Sequence, residues 1–174
     1  QYMFSLGYVD EEGILETTSF QRYTGRTNIE TNPVEWFKAG LGINFSHSKS
    51  NTSQTGASAT SNVWYSAQLM APIYPIYYRD RNNNGDYILD EETGEKIFDY
   101  GNKTRPSGQQ QNFNSIATLY DDKYQSETNN LSGRTHLSLG GMTTGWSRGM
   151  SLTANFGFDY YNGNVLQYYN PFFG

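Results

Sequence analysis

The segment DRNNNGDYILDE, residues 80–91, has the residue types and spacing of a calcium-binding loop. Its oxygen ligands would be Asp80, Asn82, Asn84, Asp86 (through its backbone carbonyl) and Glu91. Pro72 and Pro75 exclude the long entering helix that such a loop normally follows. The alternative is a metal-free hairpin, with strands 76–79 and 86–89 around an Asn-Asn-Gly turn and a second turn at EETGEK that makes a meander. Calcium is the only cofactor that the sequence suggests, and no motif requires one.

Residues 64–100, which include this segment, are rich in aromatic residues. Aromatic rings stack on sugar rings and anchor peptides. The candidates for contact with a substrate or with a lid-like partner are Trp64, Tyr65, Tyr74, Tyr77, Tyr78 and Tyr100. The alternative is that these rings pack the loop on itself and on that partner.

Residue combinations typical of catalysis are missing from the sequence. The only histidines are His47 and His136, and there is no Ser/His/Asp spacing, phosphate-binding glycine loop or cysteine. A net charge of −5 argues against a nucleic-acid surface. We therefore expect neither an enzyme nor a nucleic-acid-binding protein.

Apolar residues alternate with small or polar ones in five segments, which is typical of strands with one apolar face. These segments are residues 2–9, 20–30, 36–47, 130–140 and 149–161. Their lengths suit tilted strands that cross a bilayer, whereas no apolar stretch is long enough for a transmembrane helix. No segment has a convincing helical period.

The connections between these segments come in two lengths. Residues 31–36 and 141–149 are short connections, whereas residues 48–129 form one long connection. Short turns on one side and long loops on the other are typical of outer-membrane barrels. Two aromatic girdles are expected, one with Trp36 and Trp146 and one, at the other strand ends, with Tyr2, Tyr160 and Tyr161.

Charge separates the two faces of the predicted strands. Arg22, Arg26, Lys38 and Arg134 lie on polar faces, and the apolar faces carry almost no charge. This pattern predicts an all-β fold, an antiparallel segment of a transmembrane β-barrel with a long extracellular loop. The alternative is a soluble antiparallel sandwich with the same alternation.

Three consecutive stretches carry a family resemblance: SLGYVDEEGI (5–14), SFQRYTGRTNIE (19–30) and NPVEWFKAGLGINFSHS (32–48). In this order they resemble the SusC/RagA-type TonB-linked outer-membrane transporters. Residues 71–101 are similar to the large extracellular loop of that family, and residues 156–174 to a further strand and the start of its outer loop.

The resemblance implies a barrel of about 22 strands around an N-terminal plug, in the outer membrane of a Gram-negative bacterium. Its members import oligosaccharides or peptides with energy from the TonB complex, beneath a SusD-like surface lipoprotein. We expect residues 1–174 to be part of the C-terminal barrel domain, in contact with outer-membrane lipid, with the plug and the TonB-coupling parts outside this chain. The alternative function is a soluble β-rich carbohydrate-binding or adhesin module.

Overall fold

The computed structural model of the chain describes residues 1–53, 62–80, 82, 84–101, 114–140 and 149–171. Within these residues the elements are β1 (Tyr2–Glu12), β2 (Ser19–Val34), β3 (Phe37–Thr52), α1 (Val63–Leu69), α2 (Ser115–Asp121), β4 (Lys123–Gly140) and β5 (Ser151–Tyr168). The predicted all-β, antiparallel fold is confirmed. No helix in the described ranges is long and apolar enough to cross a membrane.

The five strands form one sheet in chain order, β1-β2-β3-β4-β5. β1 and β2 are antiparallel, with Tyr2 opposite Ile29 and Tyr8 opposite Tyr23. Hydrogen bonds between side chains indicate that β3 and β4 are also antiparallel. The residue numbers of the bonded partners rise along β3 and fall along β4. Asn44 pairs with Ser132 and His47 with Asn129.

The strands extend beyond the segments that alternation delimits. β4 begins at Lys123 rather than near residue 130, and β5 continues to Tyr168 rather than ending near residue 161. Residues 123–129 read KYQSETN, which is polar on both faces and gives no alternation to detect. The long connection between β3 and β4 is therefore residues 53–122 rather than 48–129.

Two short helices occur in the long connection, where the sequence gives no helical period. Asn62 and Asn114 cap them by accepting hydrogen bonds from backbone amides of the first turn. With 7 residues each, α1 and α2 make about two turns, too few for an apolar stripe to repeat.

The chain divides into two compact units. We call Gln1–Glu12, Ser19–Ser50 and Ser126–Val165 the sheet unit, and Gly13–Thr18, Asn51–Gln125 and Leu166–Gly174 the loop unit. Among the described residues, the buried hydrophobic side chains are Val63, Ala117 and Leu119, and all belong to the loop unit. They lie on α1 and α2, which pack against each other.

Candidate functional site

One face of the sheet unit is apolar and exposed. It consists of Tyr2, Phe4, Leu6 and Tyr8 on β1, Tyr23, Thr27 and Ile29 on β2, Phe37, Leu41, Ile43 and Phe45 on β3, Leu131, Leu137 and Leu139 on β4, and Leu152, Phe156, Phe158 and Tyr160 on β5. Phe4 is 70% and Leu152 67% exposed, values typical of surface rather than core residues. We call this surface the apolar face.

The apolar face ends in an aromatic row followed by charged residues. The rings of Tyr8 and Tyr23 are 4.8 Å apart, and that of Tyr23 is 6.3 Å from His47. One residue pair further along the strands, Lys49 and Glu127 form an ion pair at 3.4 Å. Within the described strands, no Asp, Glu, Lys or Arg lies on the apolar face between this row and the β2–β3 turn. Such a sequence of apolar, aromatic and charged rows matches the edge of a bilayer.

The pairing of β1 with β2 contradicts one part of the expected aromatic girdles. Tyr2 lies opposite Ile29, near the β2–β3 turn that carries Trp36, so its expected place at the opposite strand ends is wrong. Alternation alone could not settle this point, because it reports the face of a residue but not the level at which strands pair. Trp146 lies outside the described residues.

The opposite face of the sheet unit is polar and carries charges. Arg26 donates through Nε to Asn44 Oδ1 at 2.8 Å, and Asn44 in turn donates to Ser132 Oγ at 3.4 Å. These two hydrogen bonds connect side chains from three neighbouring strands, β2, β3 and β4. We call this surface the polar face.

Two concave regions lie on the polar face. The first, of about 540 Å³, is lined by three glycines, Gly40, Gly42 and Gly157, and by the polar side chains Glu30, Arg134 and His136, among others. A Cβ at Gly40 would collide with the ring of His136, so the histidine occupies the space that this glycine leaves.

The second concave region, of about 590 Å³, lies at Arg22 and Arg26. Its wall is formed by hydroxyl and amide side chains on β1 to β4: Ser5, Thr24, Asn44, Ser46, Asn130 and Ser132. No Asp or Glu lines this pocket among the residues that the structure describes. We call it the arginine pocket.

The loop unit contains a stack of aromatic rings. Phe98 lies between Tyr77, with ring centroids 5.1 Å apart, and Tyr120, with centroids 6.1 Å apart. Lys96 Nζ is 4.2 Å and the Arg79 guanidinium carbon 4.2 Å from the centre of the Tyr87 ring. These cation–π contacts hold both cations against the ring.

The aromatic candidates of the sequence fall into two groups. Trp64 and Tyr65 on α1 are 54% and 49% exposed and present their rings to the surroundings. Tyr77 belongs to the ring stack, and Tyr100 donates to Asp121 Oδ2 at 2.5 Å. The other two candidates, Tyr74 and Tyr78, are half-buried and have contacts of their own.

The residues of the calcium-loop pattern lie in a meander. Bridges pair Tyr77 with Phe98, Arg79 with Tyr87, and Leu89 with Lys96, which is the strand pairing expected for a hairpin that continues into a meander. The first turn contains Asn84 and Gly85, with φ of 56° and 80°.

This meander does not gather the five calcium candidates. Asp80 donates its N–H to the Asp86 carbonyl at 2.9 Å, and its Oδ1 accepts from the Asn82 amide at 2.9 Å. Asn84 lies in the same turn, but Glu91 lies in the second turn, about 16 Å along the strand from Asp86 at about 3.3 Å per residue. No group of three or more His, Asp or Glu suited to a metal ion occurs in the described part of the chain. Calcium binding stays a prediction that would require this meander to rearrange.

A buried polar centre connects distant parts of the loop unit. Asn114 Oδ1 accepts from the amides of Ile116 and Ala117, and its Nδ2 donates to the carbonyls of Ile76 at 2.8 Å and Asp99 at 3.0 Å. One side chain thus caps α2 and attaches it to both ends of the meander. A capping signal, Asn before a Ser-Ile-Ala run, is visible in the sequence, but the partners of its Nδ2 are not.

A second polar cluster involves Asn170, whose Nδ2 donates to Asp121 Oδ2 at 2.9 Å and to the Tyr100 hydroxyl at 3.2 Å. Its backbone N–H donates to Asp122 Oδ1 at 2.8 Å. Burial raises the pKa of the Tyr100 phenol, and the hydrogen bond to Asp121 adds to this effect. Burial likewise raises the pKa of Asp122. Sequence reasoning does not detect this cluster, because its members are far apart in the chain.

Comparison with known proteins finds two TonB-dependent receptors. The chain is 28% identical over 192 aligned residues to the TonB-dependent receptor SusC of Bacteroides thetaiotaomicron, an alignment that covers 96% of this chain and 18% of the relative. It is 29% identical over 93 residues to the TonB-dependent receptor P26 of Formosa agariphila, covering 53% of this chain and 8% of the relative. The chain therefore spans less than a fifth of the length of these relatives.

No protein-family model matches the chain, and no solved structure matches it. Both matching proteins are TonB-dependent receptors, and one of them aligns along almost the whole chain. The resemblance to SusC-type TonB-dependent receptors that the sequence motifs indicate is confirmed.

Proposed function

We propose that this chain is a segment of the barrel wall of an outer-membrane TonB-dependent importer of SusC type. The observation that carries the proposal is the apolar face, which is exposed, uncharged over its central rows and backed by a polar face. In water this surface would leave large side chains such as Phe4 and Leu6 hydrated, whereas in a bilayer it would contact lipid.

The cargo and the partners belong to the same proposal. The importer would take up oligosaccharides or peptides across the outer membrane of a Gram-negative bacterium, with a SusD-like lipoprotein at its outer side. Energy would come from the TonB complex through parts of the protein beyond the aligned segment. The similarity to two TonB-dependent receptors supports this assignment.

Within this proposal the two units have different tasks. The sheet unit would form wall and lumen, and the loop unit would form an extracellular loop that contacts the cargo or the lipoprotein. Trp64 and Tyr65 are its best contact candidates because their rings are exposed, whereas Tyr77 and Tyr100 are engaged within the loop unit. Transport by such a protein involves no covalent chemistry, so we propose no enzymatic activity.

Membrane extraction tests the proposal against the soluble alternative. We expect the protein to sediment with outer membranes, to resist extraction by high salt and alkaline carbonate, and to need detergent for a monodisperse preparation. A protein that is monodisperse in aqueous buffer without detergent would instead be a soluble carbohydrate-binding or adhesin module.

A further inference from the structure

We infer that the connection between β1 and β2, Gly13–Thr18, is a strained strap that is fastened to the C-terminal end of α2 and opens as a unit. We call this segment the strap. Both the strap and α2 belong to the loop unit. The inference goes beyond the proposed function, since it concerns a conformational change within the loop unit rather than the membrane or the cargo.

The backbone of the strap is strained at Thr17. The amide of Thr18 donates to the carbonyl of Leu15 at 3.2 Å, so Thr17 is the third residue of a turn. Its φ of 69° lies in the left-handed region, which at this place in a turn favours glycine or asparagine. For a residue that is branched at Cβ this conformation is costly, and the cost lowers the population of the turn about tenfold relative to glycine.

Two neighbouring residues of the strap contact two neighbouring residues of α2. Thr17 Oγ1 donates to the carbonyl oxygen of Leu119 at 2.9 Å. This carbonyl belongs to the last turn of α2, beyond which the helix offers no further amide, so Thr17 caps the helix from outside. The hydroxyl of Tyr120 donates to Glu16 Oε2. This second hydrogen bond raises the pKa of the Tyr120 phenol, because it is made by the protonated form.

The strain and the two contacts act in opposite directions. Release of the strap relaxes the backbone of Thr17, whereas the closed strap keeps its hydrogen bonds to α2. A single hydrogen bond changes a population by about threefold to tenfold, so two such bonds outweigh the strain by a small factor. Glu16 directly precedes Thr17, and a change in the Thr17 backbone therefore displaces both residues. The strap is poised to open, and its two contacts break together.

Opening changes a concave region of the loop unit. This region, of about 290 Å³, is lined by Thr17, Leu119 and Tyr120, among others. Leu119 is only 7% exposed while the strap is closed. The open state removes Thr17 from the wall of this region and uncovers the end of α2 beside a buried leucine.

Hydrogen exchange of the full-length protein in detergent tests the strap. It is read at the amides of Gly13 and Thr18, which both donate within the strap. We expect Tyr120→Phe, which removes the hydrogen bond to Glu16, to accelerate exchange at both amides by about threefold to tenfold. The matched control is Tyr65→Phe, which removes a hydroxyl from an exposed tyrosine of α1 and should leave both rates within about twofold.

A second pair of variants measures the strain. Thr17→Ala removes the hydroxyl but keeps a side chain in the left-handed region, and we expect it to accelerate exchange at both amides by about threefold to tenfold. Thr17→Gly removes the same hydroxyl and the strain as well. Exchange in Thr17→Gly should therefore be at least about threefold slower than in Thr17→Ala.

Three results would overturn the inference. One is unchanged exchange at either amide in Tyr120→Phe, since a strap that opens as a unit responds at both ends. Another is exchange in Thr17→Gly as fast as in Thr17→Ala, which would mean that the turn stores no strain. The last is equal acceleration at the amides of Ile116 and Ala117 in the first turn of α2, which would mean that the loop unit unfolds as a whole. None of these results changes the outcome of membrane extraction, so this inference and the proposed function fail separately.

Discussion

The sheet unit holds no buried hydrophobic side chain among its described residues, whereas the loop unit buries Val63, Ala117 and Leu119 between its two helices. The sheet unit is nevertheless the more regular of the two, with strands of 11 to 18 residues. Its regularity cannot come from a hydrophobic core of its own. Backbone hydrogen bonds join neighbouring strands of the sheet, and under the proposed function lipid would cover its apolar face.

The loop unit is stabilised in the manner of a small soluble domain. It combines a small apolar contact between helices, an aromatic stack and the buried Asn114 side chain, which satisfies two amides and two carbonyls. The two units thus differ in what would stabilise them, which for the sheet unit is the surroundings of its apolar face and for the loop unit is its own interior. Changes in the two units should therefore have different consequences.

A charge on the apolar face should have the largest effect. Leu41→Arg places a guanidinium on the central rows of this face, and we expect it to cost about 2 to 4 kcal/mol of folding free energy in a bilayer. The measurement is denaturant unfolding of the protein folded in lipid vesicles. The matched control is Asn155→Arg, at an exposed position of the polar face, which should cost less than about 1 kcal/mol. Equal damage at both positions would favour a sandwich that is buried on two sides.

Removal of the buried polar centre should have the next largest effect, confined to the loop unit. Asn114→Ala removes the cap of α2 and leaves the carbonyls of Ile76 and Asp99 without this donor, so we expect a loss of about 2 to 3 kcal/mol. Hydrogen exchange at the amides of α2 reports the loss, while exchange in β2 and β3 should not change.

Asn62→Ala is the matched control for that loss. Asn62 caps α1 through one hydrogen bond, which it accepts from the backbone amide of Tyr65. We expect its replacement by alanine to cost about 1 kcal/mol of stability. Equal effects of the two alanine variants would show that the carbonyl contacts of Asn114 contribute nothing.

The smallest effect concerns the pH dependence of the second meander turn. Asp90 Oδ1 accepts from the backbone amide and hydroxyl of Thr93 and from the amide of Glu92, and the bonds from Thr93 contribute most to lowering the pKa of Asp90. Because the carboxylate is the bonded form, this stabilisation is complete above the ordinary pKa of Asp, about 3.9. It is lost as the pH falls through the lowered pKa.

The amide chemical shift of Thr93, followed by NMR against pH, measures this titration. In Asp90→Asn the same shift should be flat through the acidic range. A midpoint at or above the ordinary pKa of an aspartate would contradict the hydrogen-bonded turn.

The faces of the sheet could be predicted from the sequence because alternation is a local property. Leu152, Phe156 and Phe158 lie on one side of β5 in any register, so their common face follows from their spacing. The end of the sheet at which Tyr2 lies could not be predicted, because it depends on which residue of β2 pairs with Tyr2.

The sites depend even more on pairing across the chain. Asn114 meets the Ile76 carbonyl across 38 residues, and the order Arg26, Asn44, Ser132 exists only once β3 and β4 are side by side. The sequence did place Arg22 and Arg26 on one polar face. That these two arginines share a pocket with no lining carboxylate required the structure.

Spin labels along β5 can show whether the apolar face of the sheet contacts lipid. The sequence contains no cysteine, so single cysteines at 152, 156 and 158 on the apolar face and at 153, 155 and 159 on the polar face can be labelled one at a time. In bilayers we predict that oxygen relaxes the labels of the first set and that a water-soluble nickel chelate relaxes those of the second. Nickel access to positions 156 and 158 as great as to 155, or no lipid contact at any of the six positions, would mean that the apolar face does not lie in the bilayer.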